Sequence, residues 1–256
     1  MADAIIASLV RSKLAAASDI YASDVSAERR SELRRKHGVN VYASNTRMTE
    51  TAEIVFLAVK PQDLDAVVKE IAPGLTREHM LISIAAGRTL AQIEAGAPRA
   101  RVVRVMPNVA CMVGEGMSAF ALGAHALEGD RYLVRKLLSC FGKVLELKED
   151  LFDAVTALSG SGPAFFAYVL ARLADGGQKE GLTRADALVL ATQTMLGTAR
   201  LLLQEQISPE DLIARVASPN GTTVEGLKVL ESSTVAQVME ETIRAAARRS
   251  RELRGG

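Results

Sequence analysis

The sequence predicts an α/β half built on a buried parallel sheet, followed after about residue 150 by an all-α half. Two observations predict the first half. Apolar runs of strand length recur between helical or turn segments, and most are apolar throughout instead of alternating, the pattern of strands covered by helices on both faces. A third predicts the second half: beyond about residue 150 the strand pattern stops and only helical spacing continues. No Gly/Ser-rich linker and no internal repeat interrupts the chain.

From Ala2 to about Ala17 the apolar residues pair at helical spacing, Ile5 with Leu9, Ile6 with Val10 and Val10 with Leu14. A short apolar stretch over Asp19–Asp24 leads to a charged helix, Ala27–His37, which Gly38 closes as its cap. Strands are expected at Val39–Ala43, Glu53–Val59, Met80–Ala85, Arg101–Met106, Met117–Leu122 and Lys143–Leu147, with helices at Gln62–Ile71, Leu90–Ala95 and Asp130–Phe141. The second half reads as helices at Phe152–Leu158, Pro163–Gly181, Arg184–Gln206, Pro209–Val216, Thr223–Ser232 and Thr234–Arg254. The start of the second of these, Ala164–Ala171, is apolar nearly all round. A helix without a polar face must be buried on every side, so either a second subunit covers it or it is the central helix of a monomeric bundle.

Composition narrows the function. Lys plus Arg (31) nearly equals Asp plus Glu (30), for a formal charge of +1, which argues against a nucleic-acid binder. Aromatic residues make up 4% with no Trp, too few for base-stacking platforms. Hydrophobic residues at 48% and charged residues at 24% suit a globular chain with a core. Cys111 and Cys140 form no Cys-x-x-Cys pair, and His37, His79 and His125 are scattered, so no metal site is expected. The longest uninterrupted apolar runs, such as Ile54–Val59, are strand length, and no bilayer span is expected. Residues Met1–Ile6 carry no basic leader, which points to the cytoplasm.

Three segments carry candidate chemistry. Phe56-Leu57-Ala58-Val59-Lys60-Pro61 is an apolar strand ending in a Lys-Pro turn, and ligands of doubly wound sheets bind beyond the carboxyl ends of the strands; a strand-end lysine is otherwise solvated surface. Ser83-Ile84-Ala85-Ala86-Gly87 runs a strand into small residues, either a plain tight turn or a place where a flat group approaches the backbone. Leu158-Ser159-Gly160-Ser161-Gly162-Pro163-Ala164 is a Ser/Gly loop with Pro at the first helical position, whose free N–H groups suit an anion.

Together with Arg104-Val105-Met106-Pro107-Asn108, Asp175-Gly176-Gly177, Ala217-Ser218-Pro219-Asn220-Gly221-Thr222-Thr223 and the Arg-rich finish at Arg248–Leu253, these segments resemble the pyrroline-5-carboxylate reductases, in order and over essentially the whole chain. The resemblance implies a Rossmann-type dinucleotide-binding domain at residues 1–150 and an all-helical dimerisation and substrate domain at 151–256. It implies NADPH or NADH as hydride donor to the C=N carbon of a cyclic imine, giving proline, and self-association as a homodimer or a larger assembly, with neither nucleic acid nor membrane as partner. By position in the family motifs, Ser23, Asp24, Asn45, Ala58, Val59, Lys60, Pro61, Ala85, Ala86 and Gly87 fall on the cofactor. Ser218, Asn220, Gly221, Thr222, Thr223, Ser161 and Asn108 fall on the substrate, with Thr223 assisting protonation of the imine nitrogen; capping of the next helix is the other use for Thr222 and Thr223. Asp24 at a strand end suits a free ribose 2′-OH, whereas Ser23, Arg29 and Arg30 suit a 2′-phosphate.

The chain departs from the family at two places. Met1 falls on the Met of the family's Gly-x-Gly-x-x-Met loop, so the first strand and both glycines are absent, and two strand edges are expected to lie open; a late start in the reading frame, a shortened chain or a naturally short protein would each produce this. Asn108-Val109-Ala110-Cys111 stands where the family more often has Asn-Thr-Pro. Two other readings stay open: a reductase of acyclic imines or hydroxy acids, and a dimeric relative without cofactor binding.

Overall fold

A computed structural model describes residues Met1–Gly255. Packing divides it into two compact units: Met1–Ser161 together with the chain from Ala246 onward, and Gly162–Ala245.

In the first unit, helix α1 (Ala2–Arg11) stops well before Ala17. Lys13 takes φ +57°, and the N–H groups of Leu14 and Lys13 turn back to Leu9 O and Val10 O, a Schellman ending with lysine in the place usually taken by glycine. Strand β1 (Tyr21–Ser23) leads into α2 (Ala27–His37), capped by Ser26 and closed by Gly38 at φ +71°. Strand β2 (Asn40–Tyr42) and a short helix α3 (Asn45–Thr49) follow; five residues are too few for periodicity to announce. The order then continues β3 (Ile54–Leu57), α4 (Leu64–Ile71), β4 (Met80–Ser83), α5 (Leu90–Gly96), β5 (Arg101–Pro107), β6 (Gly116–Leu122), α6 (Glu128–Leu138) and β7 (Gly142–Glu146).

The strands form two sheets, β1-β2 and β3-β4-β5-β6-β7. Strands β3, β4 and β5 are parallel, in register Leu57–Ser83 and Ser83–Arg104. The all-parallel expectation fails at β5–β6, which pair antiparallel. Residues 108–115 are too few for a crossover, so the chain reverses through a 3₁₀ turn at Val109–Val113. Alternate residues along the strands build two cores. Val55, Leu57, Leu81 and Val102 pack with Leu64, Val68, Ile93 and Phe152 on one face, and Met80, Ile82, Val103 and Phe120 pack with Ile5, Leu9, Val134 and Leu138 on the other. A third cluster joins Ile6, Leu33 and Val39.

Helix α7 (Phe152–Val155) continues into a π turn at Thr156–Gly160, the wide-turn form that helices adopt at functional sites. The expected Ser/Gly loop is therefore part of a continuous helical run, Glu149–Lys179. The Ser161 N–H is taken by Thr156 O at 2.8 Å, so no fresh row of helix N–H groups opens there; the wide turn accommodates Pro163, which has no N–H of its own. By length and composition this run is also apolar enough to cross a membrane, which counting uninterrupted apolar residues did not register.

The second unit begins with α8 (Gly162–Lys179) and α9 (Arg184–Glu205), an antiparallel hairpin turning at Gly181 with φ +98°. A Cβ on Gly177 would lie 3.2 Å from Leu182 Cδ1 and 3.5 Å from Ala187 Cβ, so glycine lets the two helices approach. Helices α10 (Pro209–Val216), α11 (Thr222–Ser232) and α12 (Val235–Gly255) follow. Phe166, Tyr168 and Leu173 on α8 are each at least 60% exposed, so a single chain leaves most of this apolar helix uncovered.

Candidate active site

The cofactor candidates follow the carboxyl ends of parallel strands in the two sheets, β1-β2 and β3-β4. Ser23 ends β1, Asn45 opens α3 after β2, Ala58–Pro61 follow β3 and Ala85–Gly87 follow β4. Ser23 Oγ donates to Asn45 Oδ1 at 2.6 Å, and Asn45 Nδ2 donates to Glu70 Oε2 at 2.8 Å. Asp24 Oδ1 accepts the Ser26 N–H at 2.8 Å. Arg30 holds the carbonyls of Asp24 and Val25, and Arg29 pairs with Glu32. The Arg30 guanidinium thus braces this turn, whereas that of Arg29 is paired along α2.

Met1 Sδ lies 3.2 Å from Cys111 Sγ in the turn after β5, so α1 brings its N-terminus to the carboxyl end of that strand, where first-turn N–H groups lack helical acceptors. Such an N-terminus suits a pyrophosphate. After β4, Ala85 is buried, Ala86 exposed and Gly87 has φ +75°, so the turn itself carries no side chain larger than a methyl group, and Leu253 lies against it at Gly87. An edge of parallel strand ends, a helix N-terminus and a small-residue turn together fit an extended dinucleotide.

Arg88 binds the Pro61 carbonyl through Nε at 3.2 Å and Asp65 at 3.0 Å, joining the segments after β3 and β4. Sequence reasoning missed it, although it directly follows the glycine of a motif it used. Asn108 Oδ1 accepts the Met117 N–H at 3.2 Å and its Nδ2 reaches Ser159 Oγ at 3.4 Å. Asn108 therefore ties β5 to β6 and to the π turn that precedes Ser161.

Ser218, Asn220, Gly221, Thr222 and Thr223 lie together on the second unit. The Gly221 N–H bonds Ser218 O at 2.9 Å and Asn220 takes φ +60°. A Cβ on Gly221 would lie 2.5 Å from Ser218 Oγ and 3.0 Å from Ser218 O, so a larger residue would crowd the turn and displace the Ser218 side chain. The N-cap of α11 is Gly221, without a side-chain cap bond. Among the described residues neither the Thr222 nor the Thr223 hydroxyl has a hydrogen-bond partner, so both are available to a ligand. Also among the described residues, no cluster of His, Cys, Asp or Glu is placed to hold a metal ion.

This fold and edge define an NAD(P)H-dependent oxidoreductase of the Rossmann type. Comparison with known proteins makes the assignment specific. Residues 149–253 match the family described as pyrroline-5-carboxylate reductase dimerisation, and residues 1–87 match NADP oxidoreductase coenzyme F420-dependent. A pyrroline-5-carboxylate reductase of Synechocystis is 41% identical over 253 residues, 99% of this chain and 94% of the relative. The solved pyrroline-5-carboxylate reductase of Coxiella burnetii is 31% identical with a TM-score of 0.94, over 98% of this chain and 94% of the other. That of Plasmodium falciparum, solved with NADP bound, is 26% identical with a TM-score of 0.86, over 98% of this chain and 93% of the other. The chain belongs to the pyrroline-5-carboxylate reductase family.

Proposed function

We propose that this chain reduces 1-pyrroline-5-carboxylate to L-proline, with the cofactor edge on the first unit and the Ser218–Thr223 loop of the second holding the substrate. The observation that carries the substrate assignment is the pair of uncommitted hydroxyls, Thr222 and Thr223, at the N-terminus of α11. A reduced nicotinamide dinucleotide supplies the hydride that adds to the imine carbon. The N–H groups at the start of α11, with Ser218, Asn220 and the Thr222 hydroxyl, hold the substrate carboxylate, because a helix N-terminus favours an anion. The Thr223 hydroxyl hydrogen-bonds the imine nitrogen as it gains its proton. Asn108 and Ser161 line the substrate. Ser23, Asp24 and Asn45 hold the adenosine ribose, and Ala58, Val59, Lys60 and Pro61 with Ala85, Ala86 and Gly87 flank the nicotinamide and its ribose. Placement of donor and acceptor contributes most of the acceleration in such a transfer.

The first unit, Met1–Ser161 with the last turns of α12, is the dinucleotide-binding domain and Gly162–Ala245 the helical unit through which two chains associate; the enzyme is cytoplasmic, with neither membrane nor nucleic acid as partner. Oxidation of NADPH or NADH that requires pyrroline-5-carboxylate and yields proline tests this reading. A folded, dimeric protein that binds neither nucleotide and turns over no imine refutes it.

A further inference from the structure

The turn Ala85-Ala86-Gly87 has no side chain with which to anchor itself, and the structure fastens it from both sides through one short segment, Glu149–Asp153. On the first side, Arg104 is buried within β5, its side chain 4% exposed. Its Nη1 donates to Glu149 Oε1 at 2.8 Å, and its Cζ lies 4.6 Å over the Phe152 ring. The same Oε1 accepts the N–H of Leu90 at 2.7 Å, so Glu149 holds the first residue of α5, three positions beyond Gly87. On the second side, buried Asp153 accepts from Ser250 Oγ at 2.7 Å and pairs with Arg254 at 3.2 Å, both on the last turns of α12. Between those two contacts, Leu253 rests its backbone on the turn: a Cβ on Gly87 would lie 3.3 Å from Leu253 O.

Buried ion pairs are weak sources of stability, since an apolar replacement of equal volume is often as stable. Here each pair sets one buried group, Arg104 or Asp153, against a partly exposed partner, and two such pairs on one segment beside a three-residue turn fit a geometric task. We propose that Glu149 and Asp153 are positioning residues that set the Ala85–Gly87 turn, and through it the nicotinamide end of the cofactor; this rests on the reading of that turn as the nicotinamide's neighbour.

The test compares wild type with Glu149→Gln, Asp153→Asn and the milder Ser250→Ala, which removes one hydrogen bond and keeps every charge. Dissociation constants are measured for NADPH and for 2′-phospho-ADP-ribose, which lacks the nicotinamide, beside kcat, the KM for the imine and Tm. Loss of one charge-assisted contact at the turn is expected to raise the NADPH constant about 3- to 10-fold. The 2′-phospho-ADP-ribose constant and the imine KM stay at wild-type values, because the adenosine end and the substrate loop are untouched. A parallel rise for both nucleotides in step with Tm, or no change for either, overturns the positioning role. Gly87→Val separates the two claims. If it weakens NADPH selectively while the Glu149, Asp153 and Ser250 variants do not, the turn keeps its place beside the nicotinamide and the positioning role falls. If Gly87→Val leaves NADPH binding unchanged, the turn is not the nicotinamide's neighbour and both claims fall.

Discussion

The Asp3 carboxylate should give this protein a measurable acid-dependent increment of stability. It accepts from Lys36 Nζ at 2.6 Å and meets His37 Nε2 at 2.7 Å, fastening the first turn of α1 to the last turn of α2. The Lys36 hydrogen bond, then that of His37, holds its pKa at about 2 against an ordinary 3.8. That difference corresponds to at most about 2.4 kcal/mol. Asp3 is 23% and Lys36 51% exposed, so screening brings the expected value to about 1 kcal/mol. The sign follows from proton counts: between the two pKa values the unfolded chain binds more protons than the folded one. The increment is therefore complete above about pH 5, reduced to about half by pH 3, and lost as pH falls through the folded value. Asp3→Asn is the appropriate perturbation, because an amide still offers buried His37 a partner while Lys36 remains solvated. Urea unfolding of both proteins at several pH values reads the difference directly. It should be about 1 kcal/mol at pH 7 and shrink toward pH 3. A difference that is absent at pH 7, or constant down to pH 3, refutes the reasoning.

Thr223→Ala should lower kcat about 10-fold or more while the NADPH dissociation constant moves less than about 2-fold; equal losses in steady-state kinetics and nucleotide binding contradict its assignment to the substrate. Gly142 has φ +148°, and a Cβ there would lie 1.8 Å from Gly116 O, where the paired strands β6 and β7 leave no room to shift. Gly142→Ala should therefore cost at least about 3 kcal/mol, and a Tm within about 3 °C of wild type would disprove that. Phe166→Asp places a charge on the exposed apolar face of α8 and should shift self-association toward monomer by about 100-fold or more. Light scattering across a dilution series checks this, with an unchanged mass profile as the contrary outcome.

Where a helix begins or stops through residues a few positions apart, the local sequence was enough. Gly38 closes α2 at the expected position, because a cap is satisfied within its own turn. The buried strands were equally plain, since their apolar runs have no other use in a polar solvent. The end of α1 escaped because a lysine occupies the left-handed position where glycine is the usual sign. Among the site residues, those in motifs of small or hydroxyl side chains could be named in advance, and the groups that hold them could not. Arg104 in an apolar strand was the one available hint, a charge that burial obliges to find a partner.

Other features were decided by topology. The reversal between β5 and β6 depends on which strands become neighbours, whereas the separate β1-β2 and β3–β7 sheets agree with the two open strand edges expected from the sequence. Glu149 meets Leu90 across 59 positions and Asp153 meets Ser250 across 97. No periodicity or spacing encodes those pairs, because each exists only once the whole unit has packed and water has left polar groups facing one another. Local hydrogen bonding and apolar patterning thus determined the elements, and resemblance to the family supplied the candidate residues; tertiary packing alone decided what holds them in place.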